Sequence, residues 1–205
     1  MNILAVGAHP DDIEFGCGGT LLEYSRQGHN IFLLVLTDGS YGADPEMRRK
    51  EQEAAAKFLQ AKGLFWGGFK DTELADTRDL ISRIDEIVHQ VSADIVFLNY
   101  DNDIHQDHRA AAQAGISATR YVKEVLFYEV PTSRYFEPDI FVDIQKVLAD
   151  KLQLLKMHAS QVERTKVENL TILESVQSCA NFRGFQGRVK FAEGFKALRV
   201  LREIQ

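Results

Sequence analysis

Apolar residues along the chain fall into two kinds of run. Short unbroken runs occupy residues 2–8, 31–37, 94–99 and 124–130, with a weaker one at 63–66. Unbroken runs of this length predict strands buried on both faces, as in a parallel sheet covered by helices. Between them, residues 16–27, 46–61, 77–91, 108–121 and 145–158 read as helices. The stretch Glu53-Ala54-Ala55-Ala56-Lys57-Phe58-Leu59 is rich in strong helix formers. In 145–158 the apolar positions are Val147, Leu148, Leu152, Leu154 and Leu155. Strand alternating with helix predicts a doubly wound, Rossmann-like α/β fold: a three-layer sandwich around a mostly parallel sheet. No linker, repeat or low-complexity tract interrupts it, so residues 1–205 read as one domain. Beyond about residue 160 the pattern weakens. Residues 181–187 read as a loop and 194–202 as a final strand or helix.

A chain of 205 residues can bury about 70% of its unfolded surface without a disulfide staple. Its two cysteines, Cys17 and Cys179, form no CxxC pair. That argues for a reducing, cytoplasmic setting and against a cysteine-ligated metal. A formal net charge of −6 does not favour nucleic acid. The short cluster Arg48-Arg49-Lys50 is followed closely by Glu51 and Glu53 and reads for the most part as a solvated helix face. No apolar run has membrane-spanning length. The N-terminus reads as a strand rather than a signal peptide.

In open α/β sheets ligands bind at the carboxyl ends of the strands, so the residues just after each strand matter most. After the first strand stands Ala8-His9-Pro10-Asp11-Asp12, and after the second Asp38-Gly39-Ser40-Tyr41-Gly42. The strand ending at Asn99 is followed by a loop that contains His105-Gln106-Asp107-His108. Pro10 biases His9 towards an extended backbone. One turn can bring His9 and Asp12 to the same side, and imidazole with carboxylate is a normal zinc donor set. Taken alone, the first loop is equally well explained by Asp11 and Asp12 capping a helix. Taken alone, the second is better explained as a helix start with two solvated histidines. Together they place three of the six histidines at one sheet edge. His9, Asp12 and one of His105 or His108 would hold a metal and leave a fourth position open.

Ala8-His9-Pro10-Asp11-Asp12, Gly16-Cys17-Gly18-Gly19-Thr20 and His105-x-Asp107-His108 together resemble the PIG-L/LmbE-like family of zinc-dependent N-deacetylases. Arg48-x-x-Glu51, His158-Ala159-Ser160-Gln161 and Phe191-Ala192-Glu193-Gly194-Phe195 extend the match over roughly residues 2–195, with Phe191 where tyrosine is commoner. The resemblance implies His9, Asp12 and His108 as Zn2+ ligands. It implies Asp11 as general base on the water that the zinc activates. His105, oriented by Asp107, would stabilise the oxyanion or protonate the leaving amine, and Arg48 would contact substrate. It implies an N-acetylated amino sugar or sugar conjugate as substrate, such as a glucosaminyl-inositol or glucosaminyl-malate compound, and a trimeric or hexameric assembly.

Other features carry less. Gly16-Cys17-Gly18-Gly19 lacks dinucleotide-loop spacing; its glycines read as sites of close helix packing. His29 and His89 read as structural or solvated. His158 reads as either a residue supporting the site or an ordinary helical histidine. Three other functions compete: an amidase on a thiol or antibiotic conjugate, a metal-dependent phosphoesterase, and a non-catalytic binding module. Only one good ligand set is visible, against the two metals of many phosphoesterases.

Overall fold

The computed structural model describes residues 1–201. Seven strands form one sheet: β1 (Asn2–Gly7), β2 (Asn30–Thr37), β3 (Gly63–Phe69), β4 (Ile95–Asn99), β5 (Glu124–Tyr128), β6 (Ile140–Asp143) and β7 (Ala192–Arg199). Their order across the sheet is β3-β2-β1-β4-β5-β7-β6. The first five are parallel. β7 runs antiparallel to β5, and β6 antiparallel to β7. The helices are α1 (Asp12–Gly16), α2 (Gly18–Arg26), α3 (Pro45–Phe58), α4 (Arg78–Val91), α5 (Gln106–Ala118), α6 (Leu148–Lys156), α7 (Ala159–Val162) and α8 (Ile172–Gly187).

Successive strand residues point to opposite faces, and both faces are covered. Ile3, Ala5, Leu33, Val35 and Phe97 pack with residues of α1, α2, α3, α6 and α8. Leu4, Val6, Leu34, Leu36, Val96 and Leu98 pack with α4 and α5. This is the three-layer sandwich, and it explains why the strands carry no polar alternation.

The structure departs from the sequence reading in its last third. Residues 181–187 are not a loop but the end of α8. A capping box between Thr171 and Glu174 starts that helix. Its pattern is obscured because Arg183 and Gly184 are buried while Phe182 and Phe185 are exposed. The segment read as strand or helix over 194–202 is strand β7 up to Arg199; residue 202 lies outside the described residues. β6, a half-buried edge strand, has an apolar run of only Ile140-Phe141-Val142, too short to announce it. β3 extends past the predicted 66 to Phe69, through a register shift beside Gly67. A Cβ on Gly67 would meet the Leu36 carbonyl oxygen at 2.6 Å. The close approach read for the first glycines is present too: a Cβ on Gly16 would stand 2.0 Å from the Tyr128 ring.

Glu193 ties the end of the chain to its beginning. Its carboxylate accepts from Gly19 N at 2.8 Å and Thr20 N at 2.7 Å, at the N-terminus of α2. Lys151 Nζ donates to the same carboxylate and to the Phe15 carbonyl at 2.6 Å. Both charged side chains are buried, and removing one partner of a buried pair strands the other charge. Glu193→Gln therefore destabilises the fold by about 3 kcal/mol, read as a lower midpoint in urea unfolding. Lys151→Met with Glu193→Gln together recovers part of that loss.

Candidate metal and catalytic site

Strand order reverses between β1 and β4, and the polar residues gather at the carboxyl ends flanking that point, where ligands bind in such sheets. Two contacts hold the edge together. Ala8 N donates to Asn99 Oδ1 at 3.0 Å, and Thr37 donates to Ala8 O from both backbone N and Oγ1 at 2.9 Å. The chain then turns sharply. Asp11 stands at the N-cap position of α1 with φ 98°, and its side chain makes no capping bond. A left-handed backbone is costly for a residue with a Cβ. Capping thus does not account for Asp11. Its carboxylate instead meets Arg48 Nη1 at 3.3 Å, and Arg48 Nη2 donates to Pro10 O at 2.6 Å.

His9, Asp12 and His108 converge. His9 Nδ1 lies 3.2 Å from His108 Nε2 and 3.6 Å from Asp12 Oδ2, while His108 Nε2 lies 3.3 Å from Asp12 Oδ1. Donors about 2.0–2.1 Å from a tetrahedral zinc stand about 3.3 Å from one another, close to the spacing of the two ring nitrogens and of His108 Nε2 from Asp12 Oδ1, while the other Asp12 oxygen faces His9. Behind them lie further carboxylates. His9 Nε2 meets Asp71 Oδ1 at 3.0 Å and Asp107 Oδ2 at 3.1 Å. His108 Nδ1 meets Asp103 Oδ1 at 3.3 Å and Thr132 Oγ1 at 3.3 Å. Metal-binding histidines commonly have their outer nitrogen fixed in this way. Two further groupings of possible donor atoms are His9 with His105 and His108, and His9 with Asp71 and Asp107. Burial opposes charge on both imidazoles, but the carboxylates outweigh it. They hold His9 well above its ordinary pKa, and His108 at about 9. Asp12 is held well below the carboxylate range: burial would raise it, but His108 and His9 more than offset this.

The half-buried His105 faces the same space. Its ring stacks on His108 at 4.7 Å and meets His9 edge-on at 4.6 Å. Burial, then the charges of His9 and His108, lower its pKa. Its Nδ1 accepts from Asp107 N at 3.2 Å at the start of α5. The neutral ring therefore carries its proton on Nε2. The expectation that the Asp107 carboxylate orients His105 is corrected here. That carboxylate is turned to His9 and to Thr72 N and Leu74 N, at 2.7 and 3.3 Å, and only the Asp107 backbone serves His105. Burial raises the Asp11 pKa, and Arg48 partly opposes the rise.

These groups open into a cavity of about 680 Å³, lined also by Arg48, Tyr41, Phe15, Leu155 and the segment from Gln161 to Ser175. Arg48 lines it but is 3% exposed, and its polar contacts brace Pro10 and Asp11. Asp71 was missed in the sequence because the weak β3 pattern hid the strand end it follows. Glu14 was missed because nothing marks a carboxylate inside an apolar helix turn. Asp103 lies in the histidine loop, where no spacing sets it apart from Asp101 and Asp107.

Residues 4–119 match the family model described as GlcNAc-PI de-N-acetylase, PIG-L. An Escherichia coli protein described as the uncharacterized deacetylase YaiS is 36% identical, across 77% of this chain and 90% of that one. The diacetylchitobiose deacetylase of Thermococcus kodakarensis is 30% identical, across 78% of this chain and 69% of that protein. Among solved structures, the conserved protein TT1542 from Thermus thermophilus superimposes with a TM-score of 0.89 at 26% identity, covering 98% of this chain and 96% of that one. The 4-carboxy-2-hydroxymuconate hydratase of Pseudomonas putida has a TM-score of 0.84 at 21% identity, over 100% and 99% of the two chains, a likeness of fold alone.

The strained turn yields a direct test. Asp11→Ala and Asp11→Gly both remove the carboxylate, and only glycine adopts φ 98° without steric cost. The alanine variant is expected to be less stable than the glycine variant by about 1 kcal/mol, measured by urea unfolding.

Proposed function

The chain belongs to the PIG-L family, and from that premise we propose that it is a zinc-dependent N-deacetylase acting on an acetylated amino sugar or sugar conjugate, with residues 1–205 as a single catalytic domain. The observation that carries the reading is the convergence of His9, Asp12 and His108, with Asp11 lining the same cavity. These three residues would hold Zn2+ as its ligands. The donor set, two imidazoles and a carboxylate, suits that ion and leaves an open position for reactants. Zinc bound there supplies acidification of water and polarisation of the amide carbonyl.

The chain's own residues do the rest. Asp11 takes the proton from the attacking water and returns it to the departing amine. A carboxyl pKa raised by burial is better matched to that exchange than an ordinary one. Its turn is kept in place by Arg48, which grips both Pro10 O and the Asp11 carboxylate. His105 donates from Nε2 to the oxygen that gains negative charge, the Nδ1 side being occupied by Asp107 N. Asp107 and Asp71 fix the outer nitrogen of His9. The two relatives described as deacetylases, at 36% and 30% identity, support amide hydrolysis over the hydratase reaction, whose representative shares the fold at 21%. The grouping of His9, Asp71 and Asp107 shares His9 with the triangle, which favours one ion over the paired metals of a phosphoesterase.

Two outcomes test this. Protein produced with zinc available is expected to contain about one zinc per chain by elemental analysis; a metal content near zero sinks the metal assignment. Amine release from a panel containing N-acetylglucosamine, N,N'-diacetylchitobiose and N-acetylglucosaminyl conjugates is expected, with none from phosphate esters. Asp11→Asn keeps its zinc and loses about 10²–10⁴-fold in kcat.

A further inference from the structure

Charged groups of both signs line the cavity, and most of them have partners. Asp11 meets Arg48 at 3.3 Å, Asp12 meets His108 at 3.3 Å and Asp71 meets His9 at 3.0 Å, while the lining residue His158 faces the buried Glu14 at 3.4 Å. Arg164 and Lys166 also line the cavity and are exposed, and neither is paired with a carboxylate among the described residues. They lie on the segment that follows α7. That segment carries two carboxylates as well, Glu163 and Glu168, which are exposed yet are not among the lining residues. Its charged side chains are thus sorted by sign, with only the cations at the cavity wall. The segment is also braced. Lys166 has φ 57°, a left-handed backbone that is costly for a residue with a Cβ, and strain of this kind collects at ligand sites. Thr165 Oγ1 holds the turn, donating to Leu170 O at 2.6 Å and accepting from Val167 N at 3.2 Å. Just upstream, Ser160 is anchored to Glu51 by two bonds of 2.7 Å.

We propose that Arg164 and Lys166 bind an anionic group, a carboxylate or a phosphate, on the C1 substituent of the substrate, so that the preferred substrate is an acidic conjugate of a 2-acetamido sugar. This assignment rests on the amino-sugar reading of the site and narrows it. With the internal pairs set aside, the cavity wall holds two positive charges without partners, and an anion on the substrate supplies what they lack. C1 adjoins the carbon that bears the acetamide, and it is the position through which a sugar is conjugated. A cavity of about 680 Å³ lies in the range of sites that enclose a ligand larger than one sugar ring. The Arg164 guanidinium offers a planar fork matched to either anion, and the Lys166 ammonium a mobile point charge. Both face solvent, so each contact is worth little alone, and their effect is selectivity between substrates rather than tight binding.

Three substrates that share the acetamide and differ only at C1 provide the test: the methyl glycoside of N-acetylglucosamine, its carboxymethyl glycoside, and N-acetylglucosamine 1-phosphate. At low ionic strength the wild type is expected to favour at least one of the two anions over the methyl glycoside by about 10-fold in kcat/KM, the worth of two solvent-facing charge contacts. Added salt is expected to shrink that preference. A preference for the carboxymethyl glycoside assigns the pair to a carboxylate, and one for the 1-phosphate to a phosphate. Arg164→Gln combined with Lys166→Gln is expected to reduce the preference to about 2-fold or less, mainly through KM, with thermal midpoint and zinc content retained. Glu163→Gln combined with Glu168→Gln alters the charge of the same segment away from the cavity wall and is expected to keep the preference. Equal kcat/KM on all three substrates in the wild type, or a preference that survives loss of both cations, overturns the role of Arg164 and Lys166 while the deacetylase reading stands. A preference lost equally in the two double variants overturns it as well. A wild type that hydrolyses none of the three overturns the deacetylase reading and this assignment with it.

Discussion

Four buried carboxylates, Asp12, Asp71, Asp103 and Asp107, surround the imidazoles of His9 and His108 at one edge of the sheet. Negative charge at that density cannot remain in a low-dielectric site without compensation. The carboxylates raise both histidines above the ordinary imidazole pKa although burial opposes this. A divalent cation would provide that compensation, provided that the ligand nitrogens give up their protons. Proton and metal would therefore compete for the same atoms. Further donors steady the carboxylates and the outer ring nitrogen: the backbone at Thr72 and Leu74, the hydroxyls of Thr132 and Ser133, and the amide of Asn99.

That constraint explains why the site sits at the reversal of strand order. His9 and Asp12 follow β1, His105 and His108 follow β4, and Asp71 follows β3. No single segment could concentrate this charge, because neighbouring carboxylates on one turn repel one another. Separate strand ends bring them in from different directions, each with its own backbone and packing to resist the repulsion. The rigidity of the edge then rests on the apolar sheet below it, where β1 is buried on both faces.

The parts legible in the sequence were those written as local pattern. Unbroken apolar runs marked β1, β2, β4 and β5, and the histidine-rich loops marked two strand ends. What stayed hidden depends on partners far along the chain. α8 carries Arg183 inward to Glu129, with bonds of 2.5 and 2.6 Å, so its burial does not follow apolar periodicity. β6 is an edge strand held by β7, and its three apolar residues are too short a run to mark it. Asp107 stood in a spacing that suggested service to His105, but the helix start turns its backbone towards that ring and its carboxylate towards His9. Glu14 and His158 lie far apart in sequence, and no spacing rule relates them.

Likeness of fold leaves the reaction open, since the same sheet and helices superimpose on a hydratase. The chemistry is decided by what stands around the donor triangle. Hydrolysis of an amide needs a group that accepts a proton from water and then delivers one to nitrogen, together with a donor for the oxygen that becomes charged. On the proposed reading Asp11 and His105 would take those tasks, and both are held by contacts within the chain. A strained turn gripped by Arg48 presents the carboxylate, and a helix start fixes the tautomer of the imidazole. The backbone strain at Asp11 would be a poor bargain for a residue whose only purpose was to begin a helix that it does not cap. It is intelligible if, as proposed, the carboxylate works beside the donor triangle while remaining outside it.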